Sequence, residues 1–535
     1  MNKIDAKLVR EALSKMKAGK SDVLYQFSSD CLTNGPTDLV PHLVNMFQSF
    51  CVHGCVPFFL LVCTLVPIVK DNLGDLAASS NYRAIAVSAL LLKLFDWVIL
   101  LLEGDKIQCD QLQFGYQAKT STAMCTWAVT AVIEHYNNNG TTVYGCGMDM
   151  SKAFDMVHWR KLFDKLMERK VAPILLRVML YIYSEQYCDV RWNGSYSYRF
   201  PIFNGVRQGA ISSPILWNLY CNILILNVRK SGIGCNIAGQ YCGIFIYADD
   251  IILLSASRIG LQAMVDICGT FAKSHNLTFS TNICAKKSKT KCIIFAKRVP
   301  NMENIAPILL NGTPLPWVDQ ITHLGHILQN DNSMNIDCNI KRGQFIGKVH
   351  SLLQEFYFSS PTVLMKLVNI YCTSFYGSNC YDIFSNNCDR IYRAWNVGVR
   401  RIFQVDRTCH RYLIEGITEC LHPKVILSSR FIKFHDNNLK CNKPIIRTLS
   451  NLCKDDNKTV YGRNLYNISR TCNTDVISLT PQLVKTTMSY FPAPENQLWR
   501  LPLAKELLAL RSDQFELTGF DYEEMTDLLK YVCTT

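Results

Sequence analysis

The stretch that most constrains this 535-residue chain runs from Gly243 to Leu254, where two adjacent acids, Asp249 and Asp250, interrupt an otherwise apolar run. Gly243 to Tyr247 and Ile251 to Leu254 read as the two strands of a hairpin with carboxylates at its tip. Like charges so close together in apolar surroundings cannot both stay ionised without compensation. Neither Lys nor Arg occurs from Gly243 to Ser257, and a hard divalent cation takes carboxylate oxygens readily, so magnesium is the economical source of positive charge. Successive strand side chains point to opposite faces, so the two acids converge only if the tip bends them together; Asp249 is the firmer ligand. A third acid has a matching position. Asn137 to Gly140 signals a turn, and Thr141 to Met150 then reads as a strand that ends at Asp149.

Around these acids the chain alternates short apolar runs with helical patterns. Ile4 to Lys20 and Val40 to Phe50 have helical spacing, Cys63 to Val69 and Ala84 to Val87 are strand-like with a polar loop from Asp71 to Asn81, and Ala118 to Tyr136 reads as helix. Ser212, Ser213 and Pro214 open an apolar helix that reaches Arg229. Past Phe295 the segments become longer and more helical, including Lys341 to Phe356 and Arg390 to Phe403. In the latter Arg390, Arg393, Arg400 and Arg401 share one face and Ile391, Trp395 and Ile402 another; a nucleic-acid contact and a plain amphipathic surface helix fit this equally. No motif is visible beyond Asn442.

With 49% apolar and 11% aromatic residues the chain is globular, with room for two to four domains. Basic residues outnumber acidic ones by 56 to 43. Lys341 to Lys440 holds 14 basic against 7 acidic residues, hence +7 of the total +13, which suits a polyanion. The 24 Cys follow no framework spacing and read as unpaired buried thiols. Cys409, His410, Cys420 and His422 come nearest to metal-ligand spacing, but their intervals are unlike those of zinc modules. The longest apolar run, Cys55 to Val69, contains Pro57 and Pro67 and is too short for a bilayer span, so no membrane is expected.

Taken in order, Asn81-Tyr82-Arg83, Gly147-Met148-Asp149-Met150-Ser151-Lys152-Ala153-Phe154-Asp155, Gly205-Val206-Arg207-Gln208-Gly209 and Tyr247-Ala248-Asp249-Asp250 closely resemble the motifs of reverse transcriptases of LINE-type (non-LTR) retrotransposons, jockey-like ones included. Lys287-Ser288-Lys289, His323-Leu324-Gly325 and Tyr376-Gly377-Ser378 extend the resemblance over roughly Ile4 to Lys433. Any one of these is a weak signal, and their order and spacing make them strong together.

The resemblance implies an α+β right-hand polymerase: an N-terminal helical extension of the fingers (1–50), fingers and palm (51–328), a helical thumb-like region (329–441) and a C-terminal helical extension of unknown role (442–535). It implies an RNA-directed DNA polymerase whose Asp149, Asp249 and Asp250 hold two Mg2+ (or Mn2+) ions for in-line attack of a primer 3′ hydroxyl on a nucleoside triphosphate. Lys70 and Arg83 look like cations gripping that triphosphate, or are surface charges. Gln208 and Gly209 resemble the positions packing against templating base and nucleotide, or form a turn before a helix. Lys287 resembles a lysine acting on the leaving pyrophosphate, although Lys286, Lys289 and Lys291 make a charge run there. Phe154 resembles a gate beneath the sugar, or is a core aromatic. Asp155 reads as a cap. Ala84 replaces the family's usual proline, and Met156 a small polar residue. The partners implied are an RNA template, a DNA primer and deoxynucleotides, in the nucleus during integration. Because the chain starts almost at the fingers, the endonuclease is expected on a separate or missing segment. Two other readings remain: a decayed fold that only binds RNA, and a relative of intron maturases or telomerase.

Overall fold

The computed structural model describes residues 3–488 apart from 23–26, 208, 283–287, 302–303, 411–412, 415–417 and 419, and beyond 488 only residues 502–505, 507–508, 526–530 and 534. The chain begins with helices α1 (Ala6–Ser14), α2 (Ser29–Thr33), α3 (Leu39–His53) and α4 (Phe58–Leu61). The pattern at Ile4 to Lys20 thus yields a shorter helix, started by the Asp5 carboxylate, which accepts from the Leu8 N–H.

Two sheets follow. In the first, β1 (Val62–Val69) pairs antiparallel with β2 (Tyr82–Val87) and parallel with β4 (Tyr187–Trp192), and the short β5 (Ser195–Tyr196) and β6 (Phe200–Pro201) flank β4. Between these strands lie α5 (Leu90–Glu103), α6 (Thr122–Asn138), β3 (Val143–Asp149), α7 (Trp159–Glu168) and α8 (Pro173–Ser184). Helix α6 begins four residues later than its pattern suggests. Lys119 takes a left-handed φ of 58°, and the Ser121 side chain caps the helix.

Next come α9 (Ser213–Lys230), the pair β7 (Asn236–Ile237) and β8 (Gln240–Tyr241), then β9 (Ile244–Tyr247), β10 (Asp250–Ser255), α10 (Arg258–Ser274) and β11 (Lys291–Phe295). The second sheet has the order β11-β3-β10-β9, antiparallel throughout, with α6, α9 and α10 packed on it. Strands β9 and β10 are apolar because both faces are covered: Ile244, Phe245, Ile246 and Ile251 to Leu254 are all buried. Ser212 stands at the N-cap position of α9 without capping it, and the Ser213 hydroxyl instead donates to the Arg207 carbonyl.

Past Phe295 the longer helices expected from the pattern are present, preceded by short strands that the pattern did not show. Two hairpins, β12 (Ile308–Leu310) with β13 (Thr313–Leu315) and β14 (Gln320–His323) with β15 (His326–Gln329), come first. Strands of three and four residues are too short to show a period. The remaining helices are α11 (Asn335–Glu355), α12 (Pro361–Tyr371), α13 (Asn386–Ile402), α14 (Pro423–Leu439), α15 (Pro444–Lys454), α16 (Val460–Cys472) and α17 (Pro481–Met488).

One hydrophobic cluster runs from Ile4 to Leu529 and ties these late helices to the second sheet. Trp127 of α6 meets the rings of Phe434 in α14 and Tyr461 in α16. No disulfide joins the described cysteines, and no described helix is long and apolar enough to cross a membrane.

Candidate active site

Strands β3 and β10 are neighbours in register, which sets Asp149 directly opposite Asp250. Opposed residues of an antiparallel pair point to the same face, with Cβ atoms about 4.5–5.5 Å apart. The strand patterns around Asp149 and Asp250 therefore bring two carboxylates together once the strands pair. Asp249 occupies the two-residue turn between β9 and β10, beside Ala248 at φ 58°. Alanine is uncommon at positive φ. It is held there from two sides: the Gln113 side-chain oxygen accepts from the Ala248 N–H at 3.1 Å, and the Trp217 indole N–H donates to the Ala248 carbonyl at 2.9 Å.

The electrostatics follow from this crowding. Burial, then repulsion from Asp249 and Asp149, pushes the Asp250 carboxyl up to about 6. Burial and the charge of Asp149 also raise Asp249, against a bond from its own N–H and the attraction of Arg83 and Lys289. Compensating charge thus comes from outside the hairpin. Lys289 Nζ stands 3.5 Å from Asp149 Oδ2. Asp149, Asp250, Ser288, Lys289, Lys291 and His323 border a cavity of about 500 Å3.

Among the described residues no group of three or more His, Cys, Asp or Glu is gathered closely enough to cage a metal by itself, the Cys409 to His422 set included. That arrangement still fits magnesium, which is held through one or two carboxylates completed by water and substrate phosphate oxygens. The opposed pair Asp149 and Asp250, destabilised by each other's charge, is a donor set of this kind.

The other candidate residues divide. Arg83, exposed on β2 opposite Ile68, acts on Asp249 through its charge. Lys70 follows β1, and its ammonium donates to the Ser80 carbonyl at 2.7 Å, bracing its own loop. Gly209 has φ 87°, and a Cβ there would come within 2.1 Å of the Ala86 carbonyl oxygen on β2, so the close approach that needs glycine is to the first sheet. Gln208 and Lys287 lie outside the described residues; Lys289 is the lysine of that run seen at the acids. Phe154 is half-buried in a 3-10 turn with its ring 5.5 Å from that of Trp217. Asp155 is not the cap of α7, whose N-cap position is His158.

Arg390, Arg393 and Arg401 line a groove between α11 and α13 together with Arg342, whereas Arg400 turns away and donates to the Cys409 carbonyl at 2.7 Å. The two later motifs also meet. The Tyr376 hydroxyl lies 2.7 Å from Thr122 Oγ1 and 2.9 Å from the Leu324 carbonyl. Arg207 forms a buried ion pair at 2.9 Å with Asp96 of α5, a partner that the apolar run around Asp96 did not announce. Gln113 and Trp217, which fix the turn, carried no sequence signal at all.

Residues 68–328 match the family described as reverse transcriptase (RNA-dependent DNA polymerase). Among curated proteins the chain is 25% identical over 40% of its length to a retrovirus-related Pol polyprotein from the type-2 retrotransposable element R2DM of Drosophila melanogaster, covering 21% of that protein. It is 24% identical over 55% of its length to the corresponding polyprotein of the R2 element of Nasonia vitripennis, covering 29% of it. Against the RNA-directed DNA polymerase from the mobile element jockey of Drosophila melanogaster the figures are 23%, 54% and 31%. The chain therefore spans less than a third of each of these three relatives. Its matched segment, just under half of the chain, contains the whole second sheet and all three acids, so the chain carries a reverse transcriptase domain and is similar to polyproteins of non-LTR retrotransposons.

Proposed function

We propose that this chain is an RNA-directed DNA polymerase that extends a DNA primer on an RNA template with deoxynucleotides. The observation that carries the proposal is the meeting of Asp149, Asp250 and Asp249 at one sheet end with Arg83 and Lys289 within electrostatic reach. Asp149 and Asp249 would hold the two Mg2+ or Mn2+ ions, with Asp250, opposite Asp149 across the strands, completing the site. When bound, the ions supply Lewis-acid charge at the primer hydroxyl and the triphosphate. Arg83 then pairs with triphosphate oxygens, and Lys289 or the neighbouring Lys287 neutralises the departing pyrophosphate.

In this reading residues 51–328 are fingers and palm, 329–441 a thumb-like region on the product duplex, and 442–535 an extension. We place the reaction in the nucleus during integration, with the endonuclease on another segment or chain.

Primer extension on poly(rA) with oligo(dT), with and without Mg2+, tests the activity. Wild-type protein should extend only with the metal. Asp249→Asn should lose several orders of magnitude of extension while keeping its fold and its RNA binding, because the loss is of transition-state stabilisation. Near-normal extension by Asp249→Asn would overturn the assignment, and RNA binding without extension by wild type would favour a fold that only binds RNA.

A further inference from the structure

The region after Asn442 contains no motif, yet its first structured residue reaches the support of the acid-bearing turn. Lys443, at the N-cap position of α15, is buried, with 8% of its surface exposed. Its ammonium donates to the carbonyl oxygens of Gln111 at 2.7 Å and Gln113 at 2.9 Å, and lies 4.9 Å from the centre of the Phe114 ring. The partners are main-chain carbonyls and a ring rather than a carboxylate. A buried ammonium held this way is costly to the fold, and burial draws its pKa down.

The segment it grips is the one on which the turn rests. Gln113 forms a parallel bridge with Ile246 of β9. Phe114 N–H donates to the Ile246 carbonyl at 2.7 Å, and Ile246 N–H donates to the Leu112 carbonyl at 3.0 Å. The Gln113 side-chain oxygen accepts from both Gly115 N–H and Ala248 N–H. Gly115 comes so near the turn that a Cβ there would sit 2.4 Å from the Ala248 nitrogen. Residues 111–115 therefore act as a short extra strand that sets where Ala248 lies, and with it Asp249 and Asp250. From the far side, α9 closes the arrangement through Trp217 to the Ala248 carbonyl and through Asn218 to the Gly115 carbonyl.

We infer that Lys443 is a positioning residue for the polymerisation site: by holding the carbonyls of Gln111 and Gln113 it fixes the 111–115 segment beneath the Ala248–Asp249 turn, so that the C-terminal helical region completes the site. The inference rests on the polymerase reading for its consequence in catalysis, but the contact itself can be read without activity. The full-length chain is compared as wild type, Lys443→Met, which keeps a long side chain and removes every donor, and Lys443→Arg, which restores donors.

Amide hydrogen exchange over residues 244–251 should speed up by about tenfold or more in Lys443→Met and return most of the way in Lys443→Arg. In primer extension Lys443→Met should lower kcat by about tenfold or more with little change in KM for primer-template, since position at the reacting atoms is lost and not nucleic-acid grip. Gln113→Leu should reproduce both effects, and Lys443→Met added to it should change little more, as expected for residues acting along one path. Faster exchange confined to α15 and α16, with residues 244–251 unchanged, would overturn the inference and leave Lys443 as a helix-docking residue. If Lys443→Met does not fold, unchanged exchange at 244–251 in Gln113→Leu overturns it equally. Should wild type extend no primer, the polymerase reading falls while the exchange comparison still decides the contact.

Discussion

Phe154 stands between two roles that its surroundings distinguish. Its ring leans on Trp217, the residue that holds the Ala248 carbonyl, while its own carbonyl accepts from Val206 N–H. It therefore belongs to the wall supporting the acid-bearing turn, yet remains half-exposed. We expect Phe154→Val to raise ribonucleotide over deoxyribonucleotide incorporation by on the order of tenfold, because a packed wall has no room for a 2′ hydroxyl and a smaller side chain makes that room. A core role would instead cost about 1–4 kcal/mol and lower both activities together, leaving the ratio of the two kcat/KM values unmoved. The buried pair of Arg207 and Asp96 makes a second prediction at this scale. Asp96 also accepts from Ile211 N–H, so Asp96→Asn strips charge from a site that positions the loop leading to Gly209. Unfolding in denaturant should show a loss of about 3–5 kcal/mol, since the arginine is left buried without its counter-ion. Loss of less than 1 kcal/mol would mean that the guanidinium finds water.

Helix α13 shows what an element's own pattern can and cannot settle. Its period placed Ile391, Trp395 and Ile402 on one face, and all three are buried. The same period put four arginines on the opposite face, but the groove takes Arg390, Arg393 and Arg401 and adds Arg342 from α11, while Arg400 bonds the Cys409 carbonyl. At about 100° of rotation per residue Arg400 lies only about 20° from Arg393, so the period does not separate the two, and what takes Arg400 out of the groove is the Cys409 carbonyl within its reach. If the groove meets a phosphate backbone, Arg390→Gln with Arg393→Gln should reduce the slope of log K against log salt by about one to two units. Arg400→Gln should leave that slope alone and lower stability. Equal slopes for the double variant and wild type would make the groove an ordinary solvated surface.

At the scale of the whole molecule, the late helices are packed against α6 and the second sheet, and Glu134 reports on that packing. The α6 carboxylate accepts from Val460 N–H at the start of α16, and burial pushes its pKa up to about 7 from an ordinary 4.5. Its folded pKa exceeds its unfolded one, so the folded chain keeps the proton through that window, and the stability it contributes is present below about 4.5 and lost as pH rises through 7. Glu134→Gln, with no proton to lose, should show a flatter Tm profile from pH 4.5 to 7 and a higher Tm than wild type at pH 8. Identical profiles would mean that α16 does not cover this carboxyl. The hairpin, the strand ending at Asp149 and the buried face of α13 were legible in the sequence because periodicity is a property of consecutive residues. Sequence motifs likewise marked Asp149, Asp249 and Asp250 as acids of one site. Only the tertiary structure decided that Asp149 faces Asp250, that Lys289 compensates them, that Arg207 finds Asp96 and that Lys443 and Gln113 hold the turn. Those pairings join segments from about a hundred to more than three hundred residues apart, and their register follows from which strands and helices pack together, a choice that no local pattern records.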